Sequence, residues 1–572
     1  MANTPQAQWR HNLYPAQSYT TSRDDSTMVS ELEETPQIPT AIRAIQDSHD
    51  SDSCSRTLVI CLDGTGDKFD NDNSNVVNFA ACLKKDSASQ ITYYQSGIGT
   101  YDGHGMSRGF SAAVDMAVGS GLGVHIKDAY RFIMQYYQEG DKICLLGFSR
   151  GSYTVRCLAG MLHKVGLLPA GNDAQIPFAY QFYKDDTPEG WKMSAEFKQT
   201  FCTDVTVYFV GVWDCVASVG FIPRILPFSK SPTNTMSYFR HAMSLDEHRA
   251  KFKCCQWQRR DKESDARILA VTAQVEKHLP STTFNRIISS RTKAHQGLIE
   301  KKASAASELK LGKGKEEELL ESQFEKEGHT GAKPIPTDVL EVWFAGVHCD
   351  VGGGAVPNES RHMLSRIPLR WMIRQCFSCN TGIIFDTSSL ADVGIDIPSV
   401  WPTYIPNKVP VVGPSPNAME HYEAQALPPI RRRSTALKAD QKEKQQKKDS
   451  QNEKQEKGEK EIFFHTDTFT DDEKRLLELL PEQVEDHFDA LQPINDMLVQ
   501  AKGWWVLEFW PVDVKVQKAD RWQKKLAMNL GRFRPIQETE PKMHWTVKLR
   551  MEKAGYKLKN DIAKNAVWNL TA

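Results

Sequence analysis

The sequence lacks any apolar run long enough to cross a lipid bilayer. A membrane-spanning helix needs about 20 consecutive apolar residues, and no stretch of the 572 residues approaches that length. Residues 1–55 are rich in Ser, Thr, Asp and Gln, and they lack the apolar region of a cleaved secretion signal. We therefore expect no transmembrane segment and a cytoplasmic location, with peripheral contact to a membrane still open.

The sequence also lacks an excess of charge and the motifs of common cofactor sites. Its 71 Lys and Arg against 72 Asp and Glu give a net charge of −1, so no bulk electrostatic argument favours a nucleic-acid partner. The twelve cysteines contain no pair of C-x-x-C motifs, which indicates neither a zinc site nor a disulfide framework. A Walker motif is missing, and the glycine-rich stretches 103–110 and 119–123 do not have G-x-G-x-x-G spacing after a strand. We expect no metal and no organic cofactor.

A predicted strand, turn and helix at residues 143–165 form the most informative feature that is present. The apolar residues 143–146 lead into the turn G-F-S-R-G at 147–151, and an amphipathic stretch follows at 152–165. In this context the motif predicts a nucleophile elbow, in which the glycines permit a tight turn and the hydroxyl of Ser149 projects from it. The alternative is an ordinary Gly/Ser turn, because G-x-S-x-G also occurs by chance.

Two further predicted strands end in residues that could activate a serine. Residues 205–213 are β-branched and aromatic and end at Asp214, and residues 339–347 end at His348. A nucleophilic serine needs a base and a group that orients the base, and in open α/β sheets such groups lie beyond the carboxyl ends of strands. The order Ser149, Asp214, His348 is that of α/β-hydrolases, so the sequence predicts a catalytic triad.

Each partner of Ser149 also has a purely structural interpretation. Asp214 could cap a helix, and His348 could be a packed side chain in a polar loop. Three other histidines compete with His348. His163 lies near the far end of the helix after the elbow and is expected to be structural. His241 and His248 fall in a segment predicted as loop and helix, and they remain reserve candidates.

The strand predicted at 57–62 supplies a candidate oxyanion site. It is a continuous apolar run followed by D-G-T-G at 63–66, as expected of a strand buried on both faces. A tetrahedral intermediate needs two N–H donors on its negative oxygen. One would be the amide of Arg150, directly after the nucleophile, and the other the amide of Gly64 or Thr65 in the early glycine loop. A simple turn at 63–65 is the alternative.

Several blocks of sequence together resemble a known family. They are residues 62–65, 74–76, 94–100, 147–152, 211–216 and 346–354. With gaps, the region from about 56 to 415 resembles the α/β-hydrolase catalytic domain of type VI secretion phospholipase effectors, which is also widespread in fungi. The resemblance implies a lipolytic hydrolase with Ser149, Asp214 and His348 as its triad. One departure is Cys349, which stands where members of the family often have serine.

The composition predicts the domain organisation. Residues 1–55 are expected to be a disordered tail, 56–430 an α/β-hydrolase domain, 431–460 a low-complexity charged linker, and 461–572 a C-terminal accessory segment. The expected fold is α/β-hydrolase-like, with a mostly parallel sheet, helices on both faces, helical insertions and a small aromatic-rich C-terminal subdomain. A charged stretch at about 296–334 is predicted to be a surface insertion that serves as a solvated spacer or a lid.

Three other segments leave alternatives open. The basic cluster 431–433 could bind anionic lipid, although a flexible linker is favoured there. The aromatic C-terminal segment could contact a membrane interface or form the core of a subdomain, and a core is favoured. The apolar stretch 216–228 could line an acyl-chain pocket or pack on the sheet, and the glycine-rich stretches could form a gate.

These patterns lead to two functional hypotheses of different classes. The first is a serine-dependent carboxylic ester hydrolase, of phospholipase A type or a related lipolytic type, acting on a lipid or another ester. The second is a catalytically weak or inactive α/β-hydrolase scaffold that binds partners through the linker and the C-terminal segment. The effect of losing the Ser149 hydroxyl distinguishes the two.

Overall fold

A single parallel sheet organises the molecule in the computed structural model, which describes residues 38–48, 55–97, 121–216, 226–228, 236–257, 336–428, 480–518 and 521–571. The strands in chain order are β1 Ala41–Arg43, β2 Thr57–Leu62, β3 Gln90–Gln95, β4 Lys142–Phe148, β5 Val207–Trp213, β6 Met236–Ser244, β7 Asp338–Phe344, β8 Ile384–Asp386, β9 Pro511–Lys518, β10 Arg521–Met528, β11 Lys542–His544 and β12 Val567–Leu570. Eight of them form the central sheet, in the order β12-β11-β7-β6-β5-β4-β2-β3. Every neighbouring pair in this sheet is parallel, which confirms the predicted α/β fold.

Helices cover both faces of the sheet. In chain order they are α1 Asn75–Cys82, α2 Leu122–Tyr136, α3 Ser149–Val165, α4 Ile176–Lys184, α5 Pro188–Phe201, α6 His348–Gly352, α7 Arg366–Ser378, α8 Thr387–Asp392, α9 Pro416–Glu423, α10 Glu482–Ala490, α11 Met497–Gln500, α12 Trp505–Glu508 and α13 Trp545–Lys553. None of the helices in these ranges has the length and apolarity that a bilayer crossing requires.

Strand β2 shows how the sequence builds this three-layer arrangement. All six of its residues are buried, because alternate side chains point to opposite faces of the sheet and both faces are covered. Leu58, Ile60 and Leu62 belong to a core shared with α2, α3 and α4. Val59 and Cys61 belong to a second core shared with α1 and α7. The continuous apolar run in the sequence is therefore explained by two separate cores.

The order of the strands reverses between β2 and β4. The chain passes from β2 outward to β3, returns to β4 on the other side of β2, and then continues through β5, β6 and β7. Leu62 is in register with Gly147, and Phe148 with Trp213. The carboxyl ends of β2, β4 and β5 consequently lie side by side. A crevice at such a reversal is where ligands bind in open α/β sheets.

The C-terminal segment is built into this sheet. Strand β11 pairs with β7, and β12 continues the sheet beyond it. Buried ion pairs also join α10 to the region of α7: Arg361 with Glu485, Arg370 with Asp486 and Asp489, and Arg374 with Glu482. Removing one member of a buried ion pair costs about 3–5 kcal/mol, so these contacts hold the C-terminal segment firmly against the helices that cover the sheet.

Part of the N-terminal region is ordered, whereas the sequence analysis assigned all of 1–55 to a disordered tail. Residues 41–43 form β1, which pairs antiparallel with β8. Ile42 is buried in the core on the α1 and α7 face. A strand of three residues is too short to show the alternation of apolar and polar side chains by which strands are recognised in a polar stretch of sequence.

Several predicted features lie outside the described residues. They are the charged insertion 296–334, the linker 431–460, the glycine-rich stretch 103–110 and most of the apolar stretch 216–228.

Candidate active site

Ser149 stands at a sharp turn between β4 and α3. Its φ of 57° lies in the left-handed region, which a residue with a Cβ enters at a cost of roughly 1–2 kcal/mol. A Cβ on Gly147 would lie 2.7 Å from the backbone of Gly151, and a Cβ on Gly151 would lie 2.2 Å from the carbonyl oxygen of Leu62. Both glycines are therefore required by the close packing of the turn, which holds the serine in its strained conformation.

Asp214 and His348 meet at the carboxyl edge of the sheet. His348 Nδ1 lies 2.5 Å from Asp214 Oδ2, and both side chains are buried. Since an ionised carboxylate can only accept a hydrogen bond, Nδ1 is the protonated ring nitrogen. Nε2 is left as the acceptor, and it has no hydrogen-bond partner in the described part of the chain. This is the tautomer that a general base needs.

Asp214 receives hydrogen bonds from three groups besides His348. The amide of Ser244 donates to Oδ1 at 3.0 Å, and Arg534 donates from Nη1 to Oδ1 at 2.6 Å and from Nη2 to Oδ2 at 2.9 Å. Burial by itself raises the pKa of Asp214, but the charge of Arg534 and the bond to His348 outweigh burial and hold this pKa well below its ordinary value. Asp214 is therefore ionised in any ordinary buffer.

The surroundings of His348 keep the imidazole neutral. Burial lowers its pKa, the hydrogen bond to Asp214 opposes this, and the positive charge of Arg249 lowers the pKa further. Arg249 is itself paired with Glu247 at 2.8 Å, and the amide of His348 donates to Glu247 at 3.3 Å. The net effect is a pKa below the ordinary 6.5.

The structure places His348 against the residue that precedes Ser149. The rings of Phe148 and His348 have centroids 4.6 Å apart. A Cβ on Gly352 would lie only 1.8 Å from the Phe148 ring, so α6 approaches the elbow more closely than any residue other than glycine allows. Because Nε2 has no partner in the described chain, the hydrogen bond from Ser149 is not formed in this conformation. Such bonds are often long in ligand-free enzymes and tighten around the substrate.

The early glycine loop also lies beside the serine. A Cβ on Gly64 would be 3.2 Å from the Cβ of Ser149. The amide of Gly64, however, donates to Asp63 Oδ1 at 2.8 Å, and Asp63 also accepts from Ser74 and Tyr94. One of the two loop amides is thus already engaged. Thr65 is the remaining candidate on this loop, and its side-chain hydroxyl is buried without a partner among the described residues.

The competing histidines occupy other environments. His163 packs edge-on against Phe228, and burial lowers its pKa to about 4. His248 lies between Asp496 and the carbonyl of Gly531. His241 was predicted in a loop or helix, but it lies in β6, because residues 236–244 form a strand at the centre of the sheet. It bridges the amide of Cys215 and the carboxylate of Glu341, which gives it a structural role.

The other reactive groups to compare with this site are the thiol beside His348 and the possible metal-binding side chains of the described residues. Burial raises the pKa of the Cys349 thiol to about 12 and keeps it protonated. Within the described ranges, no three His, Cys, Asp or Glu side chains are grouped closely enough to hold a metal ion.

Sequence reasoning missed two parts of this site. Arg534 comes from the C-terminal segment, and Glu247 with Arg249 comes from the turn after β6. The local sequence around Arg534, G-R-F-R-P at 531–535, contains two arginines and no recognisable motif.

Comparison with known proteins places this site in a family. Residues 56–375 match the family described as "T6SS, Phospholipase effector Tle1-like, catalytic domain". The chain is 27% identical to "Uncharacterized protein YEL023C" of Saccharomyces cerevisiae, over 89% of this chain and 81% of that protein.

Two solved structures are also similar to parts of the chain. One is an uncharacterized protein from Pseudomonas aeruginosa, with 15% identity, a TM-score of 0.29 and coverage of 58% of this chain and 47% of the other. The other is the Tle1 effector bound to the VgrG spike of the type 6 secretion system, with 17% identity, a TM-score of 0.21 and coverage of 42% and 52%. Each match spans about half of the solved chain. Because the family match covers residues 56–375, more than half of the sequence, this protein belongs to the Tle1-like phospholipase effector catalytic domain family.

Proposed function

We propose that the protein is a serine-dependent carboxylic ester hydrolase of phospholipase A or related lipolytic type, which works through an acyl-enzyme. The observation that carries the proposal is the 2.5 Å hydrogen bond between His348 Nδ1 and Asp214, formed beside a strained serine turn at the reversal point of the sheet. Family membership supports the choice of a lipid ester as substrate.

The proposed reaction follows from the roles of these groups. Ser149 Oγ attacks the acyl carbonyl carbon while His348 Nε2 accepts the hydroxyl proton. The tetrahedral intermediate collapses as the protonated imidazole gives this proton to the leaving alcohol, and the acyl group remains on Ser149. Water, deprotonated by His348, then attacks the acyl-enzyme, and as the bond between the acyl carbon and Ser149 Oγ breaks the imidazolium returns the proton to Oγ and the carboxylic acid is released. Asp214 holds the ring tautomer and offsets the charge of the imidazolium.

The negative oxygen of the intermediate needs donors that are already in place. The amide of Arg150 at the start of α3 is the first proposed donor. Thr65 is proposed as the second in preference to Gly64, because the Gly64 amide is already bonded to Asp63. In enzymes of this kind, removing one such donor lowers kcat by a factor of about 10²–10³.

The test is to treat the purified protein with a fluorophosphonate probe and to map the modified peptide by mass spectrometry. The probe phosphonylates an activated serine with loss of fluoride. We expect one adduct, on Ser149, and we expect untreated protein, but not the labelled protein, to hydrolyse members of a panel of phospholipids and simple esters. A folded protein that neither takes up the probe nor hydrolyses any ester would instead support the scaffold hypothesis.

The acidity of His348 leads to a prediction about pH. Only the neutral imidazole can accept the serine proton, and its pKa lies below the ordinary 6.5. The labelling rate constant should therefore decline at acidic pH with a midpoint below pH 6.5. Labelling rates measured from about pH 4.5 to pH 8, with circular dichroism to verify folding, test this. A decline centred above pH 6.5 would contradict it.

We also propose that the protein contacts the membrane surface beside this site. Phe509 and Trp510 are more than half exposed, whereas the sequence analysis favoured a core position for this aromatic cluster. Trp504 packs edge-on against Phe252, which packs edge-on against His348, with ring centroids 5.4 and 4.9 Å apart. Ring contacts thus lead from the proposed base to Trp504, and the exposed residues Phe509 and Trp510 follow Trp504 closely in sequence. Exposed aromatic side chains of this kind favour membrane interfaces.

Removing this apolar surface should weaken binding to vesicles. Burying a large apolar side chain contributes about 1.5–3 kcal/mol, and 1.4 kcal/mol is a factor of ten in affinity. We expect the double variant Phe509→Ser/Trp510→Ser to bind phosphatidylcholine vesicles at least about tenfold more weakly in a sedimentation assay. Phe178→Ser on α4, an exposed aromatic outside this surface, is the matched control. Equal binding by all three proteins would exclude the proposed surface.

A further inference from the structure

Arg534 makes contacts that only an arginine can make. Its Nε donates to the carbonyl of Phe252 at 2.9 Å, and Nη2 donates to the same oxygen. Nη1 also donates to Ser244 Oγ at 2.7 Å. With the two bonds to Asp214, all five N–H groups of the guanidinium have acceptors. The side chain is buried, and nearby acidic groups outweigh burial and raise its pKa.

The backbone around Arg534 is anchored on both sides. The amide of Gly531 donates to Glu508, and the carbonyl of Arg534 accepts from Asn560 at 2.9 Å. The ring of Phe533 stacks on His248 with centroids 4.7 Å apart, and Ile536 is buried in the core beside β6 and β7. The guanidinium therefore reaches Asp214 from a rigid support.

We propose that Arg534 is a positioning residue of the active site, and that the C-terminal segment is consequently part of the catalytic unit. This inference rests on the proposed function. The guanidinium presents two parallel N–H groups to the two carboxylate oxygens, a geometry that fixes the plane of the carboxylate. Asp214 in turn fixes the ring of His348. The family match ends at residue 375, so the residue that orients the proposed acid lies outside the matched region.

The positive charge of Arg534 and the planar geometry of its guanidinium are separate contributions, and two substitutions distinguish them. Arg534→Lys keeps the positive charge but can satisfy only one carboxylate oxygen well, because an ammonium is a point charge. Arg534→Met removes the charge as well. The carboxylate of Asp214, which binds His348 Nδ1, then loses the guanidinium that neutralises it, so protonation of His348 becomes easier.

The expected results are distinct for the two variants. Arg534→Lys should label with fluorophosphonate at least about tenfold more slowly than wild type, with the midpoint of the acidic decline unchanged. Arg534→Met should label more slowly still, and its midpoint should move up by about one pH unit, the size of shift that one nearby charge produces.

Arg374→Lys and Arg374→Met are the matched controls. Arg374 is another buried arginine that ties the same C-terminal segment to the core, through Glu482, without contacting Asp214 or His348. These variants should melt at a lower temperature but label at the wild-type rate and with the wild-type pH midpoint once folded. If Arg534→Met does not fold, the rate of Arg534→Lys decides the question.

The experiment distinguishes a failure of the proposed function from a failure of the proposed role of Arg534. Wild-type protein that never labels would defeat the proposed ester hydrolase. Wild-type protein that labels on Ser149, together with folded Arg534 variants that label at the wild-type rate and pH midpoint, would overturn the positioning role alone.

Discussion

Replacing Ser149 with alanine is expected to lower kcat/KM toward esters by roughly four to six orders of magnitude while the fold remains intact. The substitution removes only the hydroxyl group, whose oxygen is the proposed nucleophile. Alanine keeps a Cβ, so the strain at a φ of 57° stays as it is, and the melting temperature should change little. Turnover of a simple chromogenic ester and the thermal unfolding midpoint are the two measurements.

The control for this substitution is Ser194→Ala. Ser194 is another buried serine, on α5, and its hydroxyl lies 2.7 Å from the carbonyl oxygen of Gly190, to which it donates, and 3.0 Å from that of Phe182. Losing it should reduce stability by about 1 kcal/mol and leave turnover unchanged. If Ser149→Ala retained more than a tenth of wild-type activity, Ser149 would not be the nucleophile and another group would have to attack the ester.

Replacing Asp214 with asparagine should have the second largest effect. Every contact of this carboxylate is with a donor: His348, Arg534 and the amide of Ser244. An asparagine would have to turn its own NH₂ toward one of them. Asparagine tolerates the positive φ of 39° at this position, so the loss would come from charge and hydrogen bonding. In serine proteases the corresponding change lowers kcat by about 10⁴, and we expect a similar loss.

The same substitution should also destabilise the protein. Arg534 would be left buried beside a neutral amide, and removing one partner of a buried pair costs about 3–5 kcal/mol. Urea unfolding measures this cost. Asp338→Asn is the control, because Asp338 pairs with Arg240 but is itself more than half exposed, and should cost no more than about 1 kcal/mol. If both substitutions lowered the free energy of unfolding equally, the hydrogen bonds of Asp214 would not be what stabilises the site.

The elements that carry the proposed chemistry were largely predictable from local patterns. The apolar run 57–62 matches β2 residue for residue, because a strand buried on both faces leaves a continuous signal. Strands β5 and β7 were found within a few residues of their true ends. The reason is that β-branched and aromatic runs bounded by polar residues are typical of parallel strands. Because the carboxyl ends of parallel strands lie at the same edge of a sheet, the contact between Asp214 and His348 could then be predicted.

The parts that were missed depend on contacts between distant segments. Arg534 reaches Asp214 across 320 positions of sequence, and no local periodicity encodes such a contact. Strand β6 was taken for loop and helix because it carries Arg240 and His241, which are buried by pairing with Asp338 and Glu341. A strand that buries paired polar side chains lacks the apolar pattern that sequence analysis detects.

The oxyanion site shows a further limit of sequence reasoning. The D-G-T-G motif named Gly64 and Thr65 equally, since both amides belong to the same loop. Only the hydrogen bond from the Gly64 amide to Asp63 separates them, and this bond depends on a side-chain rotamer that Ser74 and Tyr94 hold in place.

The most direct test of the central claim is a crystal structure of the fluorophosphonate-treated protein. We expect phosphorus bonded to Ser149 Oγ, His348 Nε2 within hydrogen-bonding distance of that oxygen, and the phosphonyl oxygen on the amides of Arg150 and Thr65. An adduct on a different residue, or a His348 ring turned away from the phosphonylated serine, would contradict the account.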